Sequence, residues 1–410
     1  MLADIPISKH YEQNFRLFMM VRFTLVLSEF IVLEIRIYLR SFEMRFSLFL
    51  ILLVASCNSH SEKNETKSIQ SGVDFETLLQ REDVIWGFDF LPDGKVVLTE
   101  RGGKMVVFDP SSKKAEVVTG VPKVYDAGQA GLLDVRVHPD YKNNNIIYFS
   151  YSEPVGKSES TTALGMGVLK GNQLTDFKKI FTGAGPNSND IHYGSRIEFD
   201  GKGHLFLTMG DRDERNKAQK LEFNQGKIMR FNLDGSIPQD NPFVGQKEAR
   251  GEIYSLGHRS PQGLALHPVT GELFEAEMGP RGGDEVNIIQ PKKNYGWPVI
   301  TYGKEYYGPK IGETEKNGYE QPMVYWVPSI SPSAIAFYTG DKFPEWKNSL
   351  FLATLSGNHI RRLVLNGNKV EKQEEFLNKL EYRWRSVRTG PDGYLYLGTD
   401  EGRFGRLIKK

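Results

Sequence analysis

The sequence predicts an all-β protein, and most simply a six-bladed β-propeller. Three observations lead to this fold class. A short phrase of strand, turn and strand recurs six times along the chain. Glycine (41 residues) and aromatic residues (12%) are abundant, a composition that favours strands and tight turns over helices. No stretch after residue 73 keeps a 3.6-residue apolar period over the length of a long helix.

Each copy of the phrase is an alternating strand, a turn such as Pro-Asp-Gly or Asp-Gly-Lys-Gly, and a second apolar strand. Copies begin roughly 45 to 70 residues apart, at or somewhat above the period of propeller blades. One strand pair cannot bury both of its faces, whereas blades packed around an axis can, and a closed ring leaves few exposed edges. The copies are Trp86–Asp109, Gly131–Ser152, Gly194–Asp211, Gln262–Gly279, Pro332–Leu355 and Arg385–Ile408.

The segment Val73–Ile85 precedes the first copy and is predicted to supply a strand that closes the ring. Two alternatives stay open at this point. One is a seventh blade within Tyr151–Asp190, and the other is a β-sandwich, which the repeat period makes less favoured. Residues 73–410 are therefore expected to form a single propeller domain.

The chain ahead of the propeller has the layout of an export signal. Residues 44–57 read MRFSLFLILLVASC, a basic residue and an apolar run that end in small residues before Cys57. This run is too short to span a membrane, and its ending resembles a bacterial lipobox, which implies lipidation of Cys57. The alternative is an ordinary buried cysteine. The polar tract 58–72 favours the lipoprotein, because it suits a flexible tether. We therefore expect an exported protein anchored by lipid to a bacterial membrane, facing the periplasm or the cell surface.

Residues 1–43 fit no part of this scheme. The apolar run Phe23–Leu39 is interrupted by Glu29, Glu34 and Arg36, which argues against a spanning helix. A true start at Met44 is the simpler interpretation, and the leader is left out of the fold.

Charge and cysteine content exclude several classes of function. Lys plus Arg (52) nearly balance Asp plus Glu (51), so the clustered basic charge of a nucleic-acid surface is not indicated. Cys57 is the one cysteine of the sequence, which excludes an internal disulfide framework and a multi-cysteine metal site.

Propellers bind ligands at the mouth of the central channel, so polar residues in loops between copies are the candidates. His192 precedes the third copy and could act as a general base, although a structural histidine is favoured on position alone. Gln129 similarly precedes the second copy. Arg383 and Arg385 alternate across Trp384, so both point to one side of an extended strand. Such a pair suits a ligand with several carboxylates; two solvated arginines paired with acids are the alternative.

The stretch MGPRGGDE offers oxygen ligands for a metal. The carbonyls of Gly279 and Pro280 and the carboxylate of Glu285 suit calcium, whereas a glycine-rich acidic turn without metal is an equally simple interpretation.

Taken together, these motifs resemble the soluble quinoprotein sugar dehydrogenases, in particular the aldose sugar dehydrogenase branch of the pyrroloquinoline quinone (PQQ) family. The resemblance covers Phe75 to Ile408, and it implies a six-bladed propeller with PQQ at the channel mouth. The motifs, in family order, are GQAGLLDVRVHPDY, HYGSRIEFDGKGHLFLTMGD, QGKIMRFNLDGSIPQDNPF, YSLGHRSPQGLA, GPRGGDEVN, KNYGWP and YRWRSV.

The resemblance implies a role for each candidate. His192 matches the catalytic base, Arg259 the arginine at the reactive quinone oxygen, and Gln129 a glutamine at the substrate. Gly279 and Pro280 match carbonyl ligands of the calcium that polarises PQQ.

Further matches concern the cofactor and a second metal. Glu285 with the carbonyl of Tyr295 matches a structural calcium site. Arg383 and Arg385 match the pair that clamps the PQQ carboxylates. The remaining two matches are Trp326, a substrate-side aromatic, and Ser329, a hydroxyl that contacts the cofactor.

Three residues depart from the better-known glucose dehydrogenases of the family. Ser260, Met278 and Ser356 stand where those enzymes have asparagine, glutamine and lysine, and the run Asp211–Gln225 replaces a long insertion. Losing the lysine removes a positive charge near the PQQ carboxylates, and the short run leaves a more open mouth, which suits a broad aldose range.

The resulting hypothesis is oxidation of the C1 hydroxyl of aldoses to lactones, dependent on PQQ and calcium, with electrons passed to an acceptor that the sequence does not identify. Two alternatives stay open. One is a propeller lactonase or esterase with a metal at the channel centre, and the other is a non-catalytic propeller that binds a sugar or a partner.

Overall fold

The structure, a computed structural model, describes residues 66–68 and 72–410. The predicted leader, the signal ending at Cys57 and most of the predicted tether lie outside the described residues. Three residues of that tether, Thr66–Ser68 (β1), run parallel to a strand of the fifth blade.

Six four-stranded antiparallel sheets make up the described chain, and β1 adds a fifth strand to one of them. Among residues 66–68 and 72–410, helix is confined to Tyr141–Asn144 and three 3₁₀ turns, Arg215–Gln219, Pro344–Trp346 and Asn378–Leu380. None of the helices in the described ranges is long and apolar enough to cross a membrane.

The first three blades follow the chain in order. Blade one holds β3 (Ile85–Phe90), β4 (Val96–Glu100), β5 (Lys104–Asp109) and β6 (Lys114–Val117); blade two holds β7 (Leu132–Val137), β8 (Ile146–Val155), β9 (Glu159–Lys170) and β10 (Gln173–Thr182); blade three holds β11 (Ile197–Phe199), β12 (His204–Met209), β13 (Lys227–Asn232) and β14 (Ile253–Leu256).

The other three blades complete the ring. Blade four holds β15 (Pro261–Leu266), β16 (Leu273–Glu277), β17 (Asp284–Ile289) and β18 (Val324–Trp326); blade five holds β19 (Pro332–Phe337), β20 (Leu350–Thr354), β21 (Ile360–Asn366) and β22 (Lys369–Phe376); blade six holds β23 (Trp384–Thr389), β24 (Leu395–Thr399), β25 (Arg403–Lys409) and β2 (Val73–Gln80).

The first strand of each blade faces the axis, and these inner strands contact one another around the ring, including β23 against β3. The ring closes where the N-terminal β2 pairs with β25, from Val73 opposite Lys409 to Gln80 opposite Arg403. The predicted six blades and the predicted closing strand are therefore confirmed. The alternative of a seventh blade within Tyr151–Asp190 is wrong, because β9 and β10 in that range are the outer strands of blade two.

Apolar residues collect between blades rather than in one central core. Each of the six blade-to-blade interfaces has its own buried cluster; the one between blades six and one contains Phe88, Phe108, Tyr396 and Phe404. Burying one such side chain contributes about 1.5–3 kcal/mol, so every blade is stabilised by both of its neighbours.

Arg196 fills the centre of the channel. Its guanidinium is buried and makes a hydrogen bond to a residue at the inner strand of every other blade: the carbonyls of Trp86 (3.3 Å), Gln262 (2.8 Å), Ser333 (2.9 Å) and Arg385 (2.9 Å), and the carboxylate of Asp134 (3.2 Å). Burial lowers the pKa of Arg196 to about 10, and Asp134 opposes that shift. The arginine therefore stays charged near neutral pH and ties the ring together at its axis.

Candidate active site

His192 lies in the loop between β10 and β11 with its backbone in the left-handed region (φ 54°). The backbone N–H of His192 donates to the side-chain oxygen of Gln129 (2.8 Å). Gly210 packs on the His192 carbonyl, where any Cβ at residue 210 would come within 2.2 Å. A non-glycine residue keeps such a backbone only when its surroundings impose it, as these contacts do.

The imidazole of His192 is oriented by Asp211. The distance from His192 Nδ1 to Asp211 Oδ1 is 2.7 Å, and both side chains are almost fully buried. Because the carboxylate can only accept, Nδ1 carries the proton and Nε2 is left as the free acceptor. A histidine held in that tautomer can take a proton at Nε2.

Asp211 is itself anchored on its other side. Its Oδ2 accepts the indole N–H of Trp297 (2.7 Å), and its Oδ1 also accepts the backbone N–H of Asp213 (2.9 Å). Burial by itself would raise the pKa of Asp211. The hydrogen bond and charge of His192, with the charge of Arg259, bring it below the ordinary value. The carboxylate is therefore ionised and stabilises positive charge on His192.

Arg259 belongs to the same network. The Asp211 backbone N–H donates to the Arg259 carbonyl (2.7 Å), and the guanidinium lies 5.5 Å from the centre of the Trp297 ring. One guanidinium nitrogen donates to the carbonyl of Met278 (2.8 Å). The structure thus brings together His192, Gln129 and Arg259, and it adds Asp211 and Trp297, which sequence reasoning missed.

Arg383 and Arg385 converge on one carboxylate. Arg383 Nε is 2.9 Å and Arg385 Nε 2.7 Å from oxygens of Asp400. Arg385 is mostly buried and Arg383 is half-exposed. Burial would raise the pKa of Asp400, but the two guanidinium groups lower it below its usual value. Arg383 and Arg385 do point to one side, as predicted, and the carboxylate of Asp400 neutralises part of their charge.

The MGPRGGDE turn is organised around buried Asp284. Its carboxylate accepts the N–H of Gly279 (3.0 Å), the hydroxyl of Ser329 (2.8 Å) and the backbone N–H groups of Ile330 and Ser331 (2.7 Å each). Gly279 and Ser329 are thereby held beside each other. The Pro280 carbonyl accepts the N–H of Lys304 (3.0 Å) and keeps one lone pair. Both carbonyl ligands predicted for calcium therefore belong to a fixed turn.

Trp326 lies apart from these residues. It is 3% exposed, packs in the cluster between blades four and five, and donates its indole N–H to Gln373 (3.0 Å). The predicted substrate contact at Trp326 stays a prediction, and the buried ring has a packing role. The hydroxyl of Ser356 makes a hydrogen bond with the hydroxyl of Ser331 (2.8 Å).

Beneath the turn lies a group of buried polar side chains, three of them acids, here termed the acid cluster: His258, Glu275, Glu277, Glu285 and Asn287. Burial and the charge of Glu277 raise the pKa of Glu275 and Glu285 well above the ordinary range. Glu277, Glu285 and Tyr295 line one small cavity. Two carboxylates around one cavity fit a hard divalent cation, so Glu277 and Glu285 suit the calcium predicted at Glu285 and Tyr295.

The described chain is thus a six-bladed propeller that holds His192, Asp211, Trp297 and Arg259 in one network. A family model described as glucose/sorbosone dehydrogenase matches residues 82–409. The aldose sugar dehydrogenase YliI of Escherichia coli is 43% identical over 343 residues, 82% of this chain and 92% of that protein. Quinoprotein glucose dehydrogenase B of Acinetobacter calcoaceticus is 30% identical, covering 83% and 87% of the two chains.

Solved structures similar to this chain include aldose sugar dehydrogenases. The apo-form of the soluble aldose sugar dehydrogenase of Escherichia coli superposes with a TM-score of 0.79 at 42% identity, over 82% of this chain and 99% of that one. The PQQ-bound form of the aldose sugar dehydrogenase of Streptomyces coelicolor gives 0.69 at 27% identity, over 85% and 100%. The chain belongs to the glucose/sorbosone dehydrogenase family. The predicted family and the prediction of an oxidoreductase are confirmed.

Proposed function

We propose that the protein oxidises the C1 hydroxyl of aldoses to the lactone, with PQQ and calcium as cofactors. The observation that carries this proposal is the chain of contacts from His192 through Asp211 and Trp297 to Arg259. These contacts support the proposal because removal of a proton from the C1 hydroxyl and of a hydride from C1 needs a base and a nearby positive charge, roles that we assign to His192 and Arg259. Family membership supplies the reaction class.

His192, Asp211 and Arg259 have different roles in the proposed reaction. His192 Nε2 takes the proton of the C1 hydroxyl while the C1 hydrogen leaves with the electron pair, so the sugar loses two electrons and two hydrogens. Asp211 stabilises the imidazolium that results. Arg259 stabilises negative charge at the acceptor oxygen. When bound, PQQ would supply the hydride-accepting quinone and calcium its Lewis acid.

Several residues would hold these groups. Arg383, Arg385 and Ser329 would bind the carboxylates and polar edge of PQQ, and the carbonyls of Gly279 and Pro280 would ligate its calcium. Because Asp400 already pairs with both arginines, and Ser356 adds no charge, we expect PQQ to bind more weakly than in relatives with a lysine there. The electron acceptor is a separate partner that no residue here identifies.

Arg196 argues against the lactonase alternative. In that class a metal at the channel centre binds substrate, whereas here a buried guanidinium fills the centre and engages the other five blades. A metal placed there would meet a fixed positive charge. The site proposed for the sugar is therefore the loop network at the mouth.

Titration of the purified protein with PQQ, in the presence of calcium, distinguishes an aldose dehydrogenase from the alternative of a non-catalytic binding propeller. We expect saturable binding, followed by loss of the quinone absorbance when glucose or another aldose is added. His192→Ala should keep the binding and lose the reduction. Binding without reduction by any aldose, or full reduction in the His192→Ala variant, would favour a non-catalytic propeller or a different base.

We also propose that Cys57 carries a lipid anchor, on the strength of the signal layout ahead of it. A Cys57→Ser variant should move from the membrane fraction to the soluble fraction, without loss of PQQ-dependent activity. Equal membrane retention of both proteins would contradict the anchor.

A further inference from the structure

The acid cluster is assembled by two neighbouring strands. On β16 and β17, Glu275 stands opposite Asn287 and Glu277 opposite Glu285. Residues two apart on a strand share a face, and paired residues of adjacent strands share it as well. Four oxygen-bearing side chains therefore meet on one face of blade four, a position that a propeller normally fills with apolar residues.

This cluster lacks counter-charge. Across residues 72–410 no lysine or arginine side chain forms an ion pair with Glu275, Glu277 or Glu285; the one basic neighbour is His258, whose Nδ1 is 3.4 Å from Glu277 Oε1. Two buried oxygens, Glu275 Oε1 and Asn287 Oδ1, have no hydrogen-bond partner. Buried carboxylates need a cation or donors, and orphaned acceptors inside such a group point to a ligand that supplies positive charge.

The spacing suits a calcium-sized ion. One ligand atom each of His258, Glu275 and Glu277 lies within 4.8 Å of the others. Ligands on opposite sides of a calcium ion are about 5 Å apart, since each oxygen lies at about 2.3–2.6 Å. The oxygen-rich set favours calcium over zinc.

Glu277 connects this cluster to the active-site network. Its Oε2 accepts the backbone N–H of Arg259 (2.5 Å) and, more weakly, that of Ser260 (3.3 Å). The other oxygen faces His258 and the cluster. One carboxylate thus lies between the buried cation site and the segment that carries the guanidinium.

We propose that calcium in the acid cluster is ligated by Glu277 and Glu275 in addition to Glu285, and that it acts as a positioning device for Arg259. With the ion bound, Glu277 is fixed and holds the Arg259 backbone. Without it, Glu277 loses the contact that fixes one of its oxygens, and its hold on the Arg259 backbone loosens. The role assigned to Arg259 rests on the proposed function, whereas the cation site stands independently of it.

The cation site is tested in protein free of PQQ, with terbium as the probe. Trp297 and Tyr295 line the same cavity and should sensitise terbium luminescence, which added calcium should displace. Calcium should also raise the melting temperature of the wild-type protein and change its tryptophan emission. We expect Glu277→Gln and Glu285→Gln to weaken terbium binding at least tenfold. Glu272→Gln, at the turn before β16, is the matched control and should bind as wild type.

The positioning role is tested by kinetics at saturating PQQ and at a calcium concentration that just saturates the wild-type protein. Both Glu277→Gln and Glu285→Gln should lower kcat for an aldose at least tenfold, with a smaller change in KM, because both lose the ion. A kcat loss in Glu277→Gln alone would show that the carboxylate acts without the cation and would overturn the coupling. Wild-type terbium affinity in Glu277→Gln, or no sensitised binding to wild type, would overturn the site. Calcium binding in a wild-type protein that oxidises no aldose would refute the proposed function and leave the site standing.

Discussion

Replacing Asp211 by asparagine removes one charge from the centre of the proposed machinery and changes little else. The carboxylate accepts three hydrogen bonds, from His192 Nδ1, from the Trp297 indole and from the backbone of Asp213. An asparagine offers one acceptor oxygen and one NH₂ group in the same space. In either orientation, the NH₂ group of the asparagine faces another N–H donor, which is the Trp297 indole in one orientation and the backbone of Asp213 in the other.

The two amide orientations have different consequences. If the oxygen turns toward Trp297, the NH₂ group faces His192 and forces its proton onto Nε2, so the base is blocked. If the oxygen keeps its place at His192, the tautomer survives but the imidazolium loses its stabilising charge. Loss of a positioned general base costs about 10²–10⁴-fold in rate, or about 2.7–5.4 kcal/mol of barrier at 1.36 kcal/mol per tenfold.

The assay is kcat for aldose-dependent dye reduction by PQQ-loaded protein, with PQQ affinity measured alongside. Asp211→Asn should lose at least 100-fold in kcat and change PQQ affinity by less than tenfold. Asp213→Asn, an exposed acid two residues further on, should keep kcat within about twofold. A kcat for Asp211→Asn within threefold of wild type would refute the assignment of His192 as a base oriented by this carboxylate.

Three further predictions concern the scaffold. Arg196→Met removes the donor to four axial carbonyls and the ion-pair partner of Asp134, and should lower the free energy of unfolding by about 3–5 kcal/mol, read from denaturant midpoints. Arg250→Met, at a partly exposed arginine that pairs with Glu252, should change it by less than about 1 kcal/mol. Lys227→Met removes the ammonium that donates to the carbonyls of Lys217, Ala218 and Gln225, and should cost about 2–3 kcal/mol by the same measurement. The pKa of Asp400 is lower in the fold than in the unfolded chain. Its contribution to the free energy of unfolding is therefore present above the ordinary pKa of about 3.9 and is lost as pH falls through the folded pKa. Asp400→Asn should accordingly lose less stability than wild type on acidification from pH 5 to 3.

Repeated patterns made most of the fold predictable. The strand–turn–strand phrase set the number of blades, since each copy lies in one blade, and the leftover strand β2 had an obvious place at the ring closure. The outer strands were less visible. In β10 most side chains are exposed, so it carries almost no apolar period to detect.

The site was predictable where a residue type points to chemistry by itself. The arginine pair was a candidate by residue type, whereas the roles of His192 and Arg259 came from the family resemblance; the structure places His192 and Arg259 in one network. Asp211 ends the third repeat copy, where the sequence gives no sign that it contacts His192. Its partner Trp297 is 86 residues further on, a separation that no local pattern can bridge.

Residues buried by tertiary context were the hardest to interpret. Arg196 sits in the third copy like any charged residue beside a strand, and only closure of the ring gives it five partners. Trp326 was predicted to contact the substrate, but the alternation of side chains along β18 buries it in the cluster between blades four and five. Its neighbour Tyr325 stacks on Tyr302, with 3.6 Å between the ring centres. Glu275 and Glu277 fell inside an apolar-looking strand, where their shared face became visible only once β17 was paired beside them.

The central claim is that this propeller oxidises aldoses and depends on both PQQ and calcium. The most direct measurement is dye reduction with several aldoses by purified protein stripped with chelator, assayed with neither cofactor, with each alone and with both. The account predicts activity on more than one aldose with both cofactors, and little or none when either is withheld. Equal and negligible reduction in all four conditions would contradict it.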